Sequence, residues 1–174
     1  MRRVRYCVAM SLDAYIAGPN NEHDWIIMDP TIDFGALFNE FDTFLIGRRT
    51  FEVMASGGQG SMPGVRVYVF SRILRAEDFP NVTIVADDAA KIVAGLKAEE
   101  GKDIWLFGGG ELFRNLLEAD LVDAVEVAVV PVLLGQGIPL LPAMTGRTRL
   151  ELTDTKTYPS GIVSLSYSVR GKTD

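Results

Sequence analysis

Three consecutive glycines after an apolar run are the first residues in this sequence whose types and spacing suggest chemistry. Residues 104–107 are typical of a buried strand, Gly108, Gly109 and Gly110 follow, and apolar residues then recur at helical spacing up to Leu117. A strand that turns through glycine into a helix brings backbone N–H groups and the positive end of the helix dipole close to a ligand, which favours a phosphate. The alternative is a plain turn that needs positive φ.

The residues next to these glycines exclude two common nucleotide motifs. Glu111 and Leu112 follow, where a Walker loop has lysine and then serine or threonine. Phe113 stands where the dinucleotide fingerprint G-x-G-x-x-G has its last glycine. The pattern therefore predicts a nucleotide that is bound by a different fold.

Two further strand ends carry groups that bind anions. Apolar residues 43–46 and 66–70 are typical of strands, and each run ends in polar residues. These residues are Gly47, Arg48, Arg49 and Thr50 after the first run, and Ser71 and Arg72 after the second. Ligands of open α/β sheets bind beyond the carboxyl ends of the strands, so the three ends together predict a phosphate site. Each arginine taken alone could equally be a solvated surface charge.

Composition excludes several classes of function. The 174 residues carry a net charge of -6, which argues against nucleic acid and anionic membranes as partners. Cys7 and His23 are the only residues of their types, so a Cys/His zinc site and an internal disulfide are excluded. No apolar run has the length of a membrane span, and the first residues lack the features of a signal peptide. We therefore expect a cytoplasmic protein without a metal.

The order of the elements predicts an α/β fold in a single domain over residues 1–174. One helix is expected around Phe34, Leu37, Phe38 and Phe41, with Asp33 placed to cap it or to lie in its first turn. Another is expected to be capped by Asp87 or Asp88. Alternating strands and helices predict a mixed, mostly parallel central sheet flanked by helices, with an antiparallel C-terminal hairpin. The predicted strands are residues 5–10, 43–46, 66–70, 82–85, 104–107 and 124–130, and the hairpin strands are 149–156 and 162–169.

Four motifs in register resemble the dihydrofolate reductase superfamily. They are SLDAYIA at 11–17, GRRTFE at 47–52, SR at 71–72 and LFGGGEL at 106–112. Their order and spacing are most similar to the branch related to the reductase (C-terminal) domain of the bifunctional riboflavin biosynthesis deaminase-reductase. The resemblance covers nearly the whole chain and implies a dihydrofolate-reductase-like sheet and an NADPH-binding reductase.

The resemblance also implies where the cofactor binds. The phosphates of NADPH would lie against the residues of the three strand ends, which are Gly47, Arg48, Arg49, Thr50, Ser71, Arg72, Gly108, Gly109, Gly110, Glu111 and Leu112. Ala9, Ile16 and Gly18 would flank the nicotinamide, and Trp25 would close a lid formed by the polar loop at 19–24.

The catalytic acid is less clearly placed by the resemblance. Dihydrofolate reductases carry an acid soon after the tryptophan, and Asp29 and Asp33 are the candidates here, neither at the matching spacing. Asp13 faces the substrate pocket or caps a turn at a strand end. Ala14 stands where riboflavin-pathway reductases usually have glycine, and the zinc ligands of a deaminase domain are absent. A pterin or a ribosylaminopyrimidine as substrate therefore follows from kinship alone.

These observations lead to one expectation and two alternatives. We expect an NADPH-dependent oxidoreductase that transfers a hydride to a small heteroaromatic or carbonyl-type substrate. The first alternative is an NADPH-binding regulatory protein without turnover, and the second is a structural dimerising domain. A homodimer is also compatible with the sequence, and the apolar residues 125–132 are its expected surface.

Overall fold

Eight strands of the chain form one sheet in the computed structural model, which describes residues 1–58 and 62–173. The elements are β1 (Val4–Ser11), β2 (Tyr15–Ala17), α1 (Phe34–Asn39), β3 (Phe41–Gly47), α2 (Arg48–Ser56), β4 (Arg66–Phe70), β5 (Thr83–Val85), α3 (Ala89–Ala98), β6 (Asp103–Gly108), α4 (Gly110–Glu118), β7 (Ala124–Val130), β8 (Ile138–Pro139), β9 (Arg147–Thr157) and β10 (Val163–Thr173). A short 3-10 turn at Ala76–Asp78 precedes β5. The glycine-rich residues 56–64 are typical of a loop, and residues 59–61 of this stretch lie outside the described residues.

The sheet has the order β5-β4-β3-β6-β1-β7-β10-β9. Neighbouring strands from β5 to β7 are parallel, and β10 pairs antiparallel with both β7 and β9. The predicted fold class, a mostly parallel sheet with helices and an antiparallel C-terminal pair, is therefore confirmed. Because the parallel strands end at one edge, the polar residues that follow them meet there.

Side chains alternate between two cores on opposite faces of the sheet. Tyr6 and Leu106 face a core that α3 and α4 cover, with Val93 and Leu116 among its buried residues. The intervening strand residues, such as Trp105, face a second core under α1 and α2. Burial on both faces explains why the central strands read as nearly continuous apolar runs in the sequence.

The first helix is shorter than its apolar spacing predicts. Of the two positions expected for Asp33, the structure shows the cap of α1, since the carboxylate accepts a hydrogen bond from Ala36 N at 2.8 Å. Phe41 was expected on the helix, and this prediction is wrong because Phe41 begins β3 and packs its ring 4.8 Å from that of Trp105. Burial in the sheet therefore outweighs helical periodicity at this residue. Asp88, the second of two candidates, caps α3.

Two short strands and the position of β7 add to the predicted architecture. The sequence predicted no element at β2 or β8, and these two strands pair with each other in the structure. β7 lies between β1 and β10, so both of its backbone edges are hydrogen-bonded within the sheet. No helix in the described part of the chain is long and apolar enough to cross a bilayer.

Candidate functional site

One cleft of about 2120 Å³ borders the carboxyl ends of the parallel strands. Most residues that the sequence singled out border it. They are Ala9, Ile16, Asp33, Gly47, Arg48, Arg49, Thr50, Ser71, Arg72, Gly108, Gly109, Gly110, Glu111 and Leu112. Asp13, Gly18, Trp25 and Asp29 are not among the residues lining this cleft. The three strand ends therefore border one cleft, whereas of the predicted catalytic aspartates only Asp33 does.

Two helices begin side by side on the wall of the cleft. A Cβ atom on Gly47 would lie 3.4 Å from Gly108 O, and one on Gly108 would lie 3.3 Å from Thr50 Oγ1. Neither α2, which begins after Gly47, nor α4, which begins after Gly109, has a side chain that caps its first N–H groups. Adjacent uncapped helix N-termini are a favourable environment for an anion.

Gly109 has the backbone conformation for which glycine is best suited. Its φ of +78° lies in the left-handed region, where a side chain costs about 1–2 kcal/mol. The nearest described atom to a Cβ here would be Thr50 Oγ1 at 3.7 Å. The chain itself therefore leaves room at this residue, and the glycine keeps the backbone accessible from the cleft.

The arginines of the cleft differ in whether they are paired. Arg48 Nη1 lies 2.9 Å from Glu52 Oε1, one turn further along α2. Arg49 and Arg72 are exposed, and within residues 1–58 and 62–173 neither forms an ion pair or a side-chain hydrogen bond. Ser71 is buried and its hydroxyl accepts hydrogen bonds from Ile73 N and Leu74 N, which fixes the turn that carries Arg72. Two unpaired cations are thus available to a ligand.

Asp13 is occupied by the loop that follows β7. Its carboxylate accepts hydrogen bonds from Ser11 Oγ at 2.6 Å, Gly135 N at 2.7 Å and Leu134 N at 3.1 Å. The bonds from Ser11 and from these amides lower the pKa of Asp13 to about 2. The sequence left open whether Asp13 faces the substrate pocket or caps a turn, and the structure favours the cap. A carboxylic acid with so low a pKa is also a poor proton donor near neutral pH.

Asp29 is similarly engaged, although it lies in another loop. It is 3% exposed and accepts hydrogen bonds from Ser160 N at 3.0 Å, Thr31 N at 2.8 Å and Thr31 Oγ1 at 2.6 Å. Hydrogen bonds from Ser160 and Thr31 hold the pKa of Asp29 well below its usual range. The residue joins the loop before α1 to the turn between β9 and β10, and it is also unsuited to donate a proton.

The loop between β2 and α1 covers part of the cleft. Gly18 N donates to Glu22 O at 2.8 Å, and Trp25 Nε1 donates to the same oxygen at 3.1 Å. Trp25 is half-buried inside the loop, whereas Ile26, Ile27 and Met28 border the cleft. His23 is exposed, as expected from its polar surroundings, and also lies at the border.

Glu126 in the middle of β7 is a cleft residue that sequence reasoning missed. Among the described acids that border the cleft, only its side chain is not exposed. Both its oxygens accept hydrogen bonds from the buried Arg5, at 2.6 Å and 2.8 Å. An acid within the apolar strand sequence AVEVAVV was the available signal, because charges are rarely buried without a partner. Lys156, Tyr158 and Ser164 of the C-terminal strands and their turn also border the cleft.

The described residues contain no group of three His, Cys, Asp or Glu side chains that could hold a metal ion.

Comparisons with known proteins agree with the observed fold. The family model for the RibD C-terminal domain matches residues 2–164. "Uncharacterized protein YyaP" of Bacillus subtilis (strain 168) is 34% identical over 182 residues, covering 98% of this chain and 96% of that protein.

Two solved structures are similar as well. A Shewanella sp. PV-4 protein named "Putative riboflavin biosynthesis protein" has a TM-score of 0.82 at 26% identity and covers 98% of this chain and 99% of its own. Dihydrofolate reductase from Enterococcus faecalis, in complex with NADP(H), has a TM-score of 0.68 at 18% identity and covers 99% of this chain and 97% of its own. The second likeness shows the dihydrofolate-reductase-like fold alone.

Proposed function

The chain belongs to the RibD C-terminal domain family, and from that premise we propose that it is an NADPH-dependent reductase. Its substrate would be a small heteroaromatic compound of the pterin or ribosylaminopyrimidine type. The family and the similar structures support a reductase-like protein of riboflavin biosynthesis. The Enterococcus protein holds NADP(H) in the same fold, which supports the choice of cofactor.

The observation that carries the proposal is the convergence of anion-binding groups in one cleft. Two uncapped helix N-termini and the unpaired cations Arg49 and Arg72 border it together. These groups fit the pyrophosphate and the 2′-phosphate of NADPH, because backbone N–H groups and guanidinium groups both bind phosphate well. The cleft volume of about 2120 Å³ exceeds the roughly 300–1,000 Å³ of a typical small-molecule pocket, which supports a ligand larger than a single small molecule.

The other predicted residues would take the following roles in an NADPH-dependent reductase. Ala9 and Ile16 would flank the nicotinamide, and Gly108, Gly109 and Gly110 would pass close to the pyrophosphate. The bound cofactor supplies hydride chemistry, and the chain's own residues orient the substrate and exclude water. Gly18 and Trp25 would act only through the loop that carries them, as a lid over the cleft. Asp33 borders the cleft, so it is the one of the three predicted aspartates that we retain as a proton donor.

A thermal-shift assay with NADPH and NADH tests this proposal. A ligand at a hundred times its dissociation constant adds about 2.7 kcal/mol of apparent stability, which raises Tm by roughly 5–10 °C for a chain of this size. We expect that rise with NADPH, and a smaller rise with equal NADH because it lacks the 2′-phosphate. If saturating NADPH left Tm unchanged, the reductase and the non-catalytic binding protein would both be excluded.

A further inference from the structure

The strand β9 forms one edge of the central sheet and has a neighbour on one side only. Among the described strands it pairs with β10 alone. It has 11 residues, whereas β5 at the opposite edge has three. All residues of β9 except Thr148 are exposed, so no helix covers either face of the strand. A long exposed edge presents backbone N–H and C=O groups that can pair with a strand of another chain.

One face of β9 also exposes apolar side chains. Leu150 and Leu152 are 43% and 53% exposed, and they lie opposite Val169 and Tyr167 of β10 in the sheet register. Val169 packs against the core that α3 and α4 cover, so the two leucines extend the apolar surface of that core to the edge of the sheet. Exposed apolar side chains that lie together are typical of a protein–protein contact.

The charges on the other face of β9 indicate which partner fits. Arg149 and Glu151 flank Leu150 and share this face, because side chains alternate along a strand. Two copies of a strand pair antiparallel around a two-fold axis. With the axis at Leu150, Arg149 of each copy lies opposite Glu151 of the other. With the axis at either neighbouring residue, two arginines or two glutamates would face each other, which is unfavourable. The strand is therefore complementary to itself in this register.

The two charges differ in whether they are already paired. Glu151 contacts Arg170 of β10. Arg149 forms no ion pair or side-chain hydrogen bond with the residues whose side chains the structure describes. A carboxylate has two oxygens and about four lone-pair positions, so Glu151 can accept from a second guanidinium group. A second copy would thus supply the partner that Arg149 lacks.

We propose that two copies of this chain form a homodimer by antiparallel pairing of β9 around Leu150. The pairing joins the two eight-stranded sheets into one and places the two Leu150 side chains side by side. It uses β9 in place of residues 125–132, the surface expected from the sequence. Because the paired strands run in opposite directions, the two clefts open at opposite ends of the joined sheet and both stay accessible. The inference goes beyond the proposed function and does not depend on it.

Sedimentation velocity of the full chain and of three charge variants tests this assignment. Wild type at micromolar concentration should have twice the 19.1 kDa mass of one chain. Arg149→Glu and Glu151→Arg should each weaken association roughly tenfold to a hundredfold, because every opposed pair occurs twice around the axis. Arg147→Glu is the matched control, since Arg147 is exposed on the same face and its substitution changes the net charge as Arg149→Glu does. Its partner in this register is the uncharged Thr153, so association should be unchanged.

A mixture of Arg149→Glu and Glu151→Arg distinguishes a specific contact from a general effect of charge. In the mixed dimer opposite charges face each other on both sides of the axis, so association should return to the wild-type level. Wild type that stays monomeric overturns the inference, and this result does not depend on the folding of any variant. Equal weakening by Arg147→Glu, or no recovery in a mixture of variants that both keep the wild-type Tm, also overturns it. Should Glu151→Arg lose its fold beside Arg170, the comparison of Arg149→Glu with Arg147→Glu decides alone.

Discussion

The two halves of the cleft use their polar groups in opposite ways. In the half formed by the ends of β3, β4 and β6, helix N-termini are uncapped and Arg49 and Arg72 have no partner within the described residues. In the half formed by β1 and β7, the charged groups hold one another, as Arg5 and Glu126 do. Unpaired groups indicate where a charged ligand would bind, whereas paired groups form a preorganised surface for a neutral or cationic ligand.

The largest effect is expected at the glycine turn of the unpaired half. Gly109→Ala would put a methyl group on the path of the pyrophosphate and shift the backbone amides. The loss of about two charged hydrogen bonds of roughly 1.5–3 kcal/mol each should weaken NADPH a hundredfold or more, as measured by calorimetric titration. The strained φ should also lower the free energy of unfolding by about 1–2 kcal/mol.

Gly135→Ala is the control for backbone strain. Gly135 has nearly the same φ, +75°, and no described atom lies within 4 Å of the position its Cβ would take. It does not border the cleft, so its substitution should cost similar stability and leave NADPH affinity unchanged. Equal weakening of NADPH by both variants would show that the effect of Gly109→Ala arises from destabilisation and not from contact with the cofactor.

A second effect is expected at Asp33, the N-cap of α1, which we retain as the proton donor. Asparagine caps a helix about as well as aspartate, so Asp33→Asn should keep α1 intact and remove only the ionisable proton. Turnover with a pterin or ribosylaminopyrimidine substrate, followed as NADPH oxidation, should fall roughly a hundredfold, the lower range for a general acid. The affinity for NADPH should be unchanged. Unaltered turnover would assign the proton to water or to the substrate itself.

The sequence predicted the unpaired half better than the paired half for a physical reason. The unpaired half is built from short contiguous motifs, each a strand end with glycine or serine, and two of the three also carry a cation, such as Gly47 with Arg48 and Arg49. Helix and strand periodicity places such motifs at one sheet edge once the strands are known to be parallel. The bounds of β4, one strand of this half, were predicted to the residue.

Several carboxylates, in the paired half and in the loops outside the cleft, depend on contacts between residues that are distant in sequence. Asp13 is held by Leu134, 121 residues away, and Asp29 by Ser160, 131 residues away. No local pattern shows such partners, so two carboxylates that resemble catalytic acids in the sequence are occupied in the structure. The partner of Glu126 is also 121 residues away, although a lone acid in an apolar strand was a visible signal. The strand β8 has only two residues, so its sequence cannot show the alternation of apolar and polar residues that predicts a strand.

The central claim, that the unpaired arginines select the 2′-phosphate of NADPH, is tested most directly by titrating NADPH and NADH into wild type, Arg49→Ala, Arg72→Ala and Arg48→Ala. If Arg49 or Arg72 binds the phosphate, its loss should weaken NADPH tenfold to a hundredfold and leave NADH nearly unchanged, because a charged hydrogen bond contributes about 1.5–3 kcal/mol. Arg48→Ala is the internal comparison and should cost less, since Arg48 already pairs with Glu52. Equal losses for NADPH and NADH in all three variants would contradict the claim and assign these arginines to the shared pyrophosphate or to the fold.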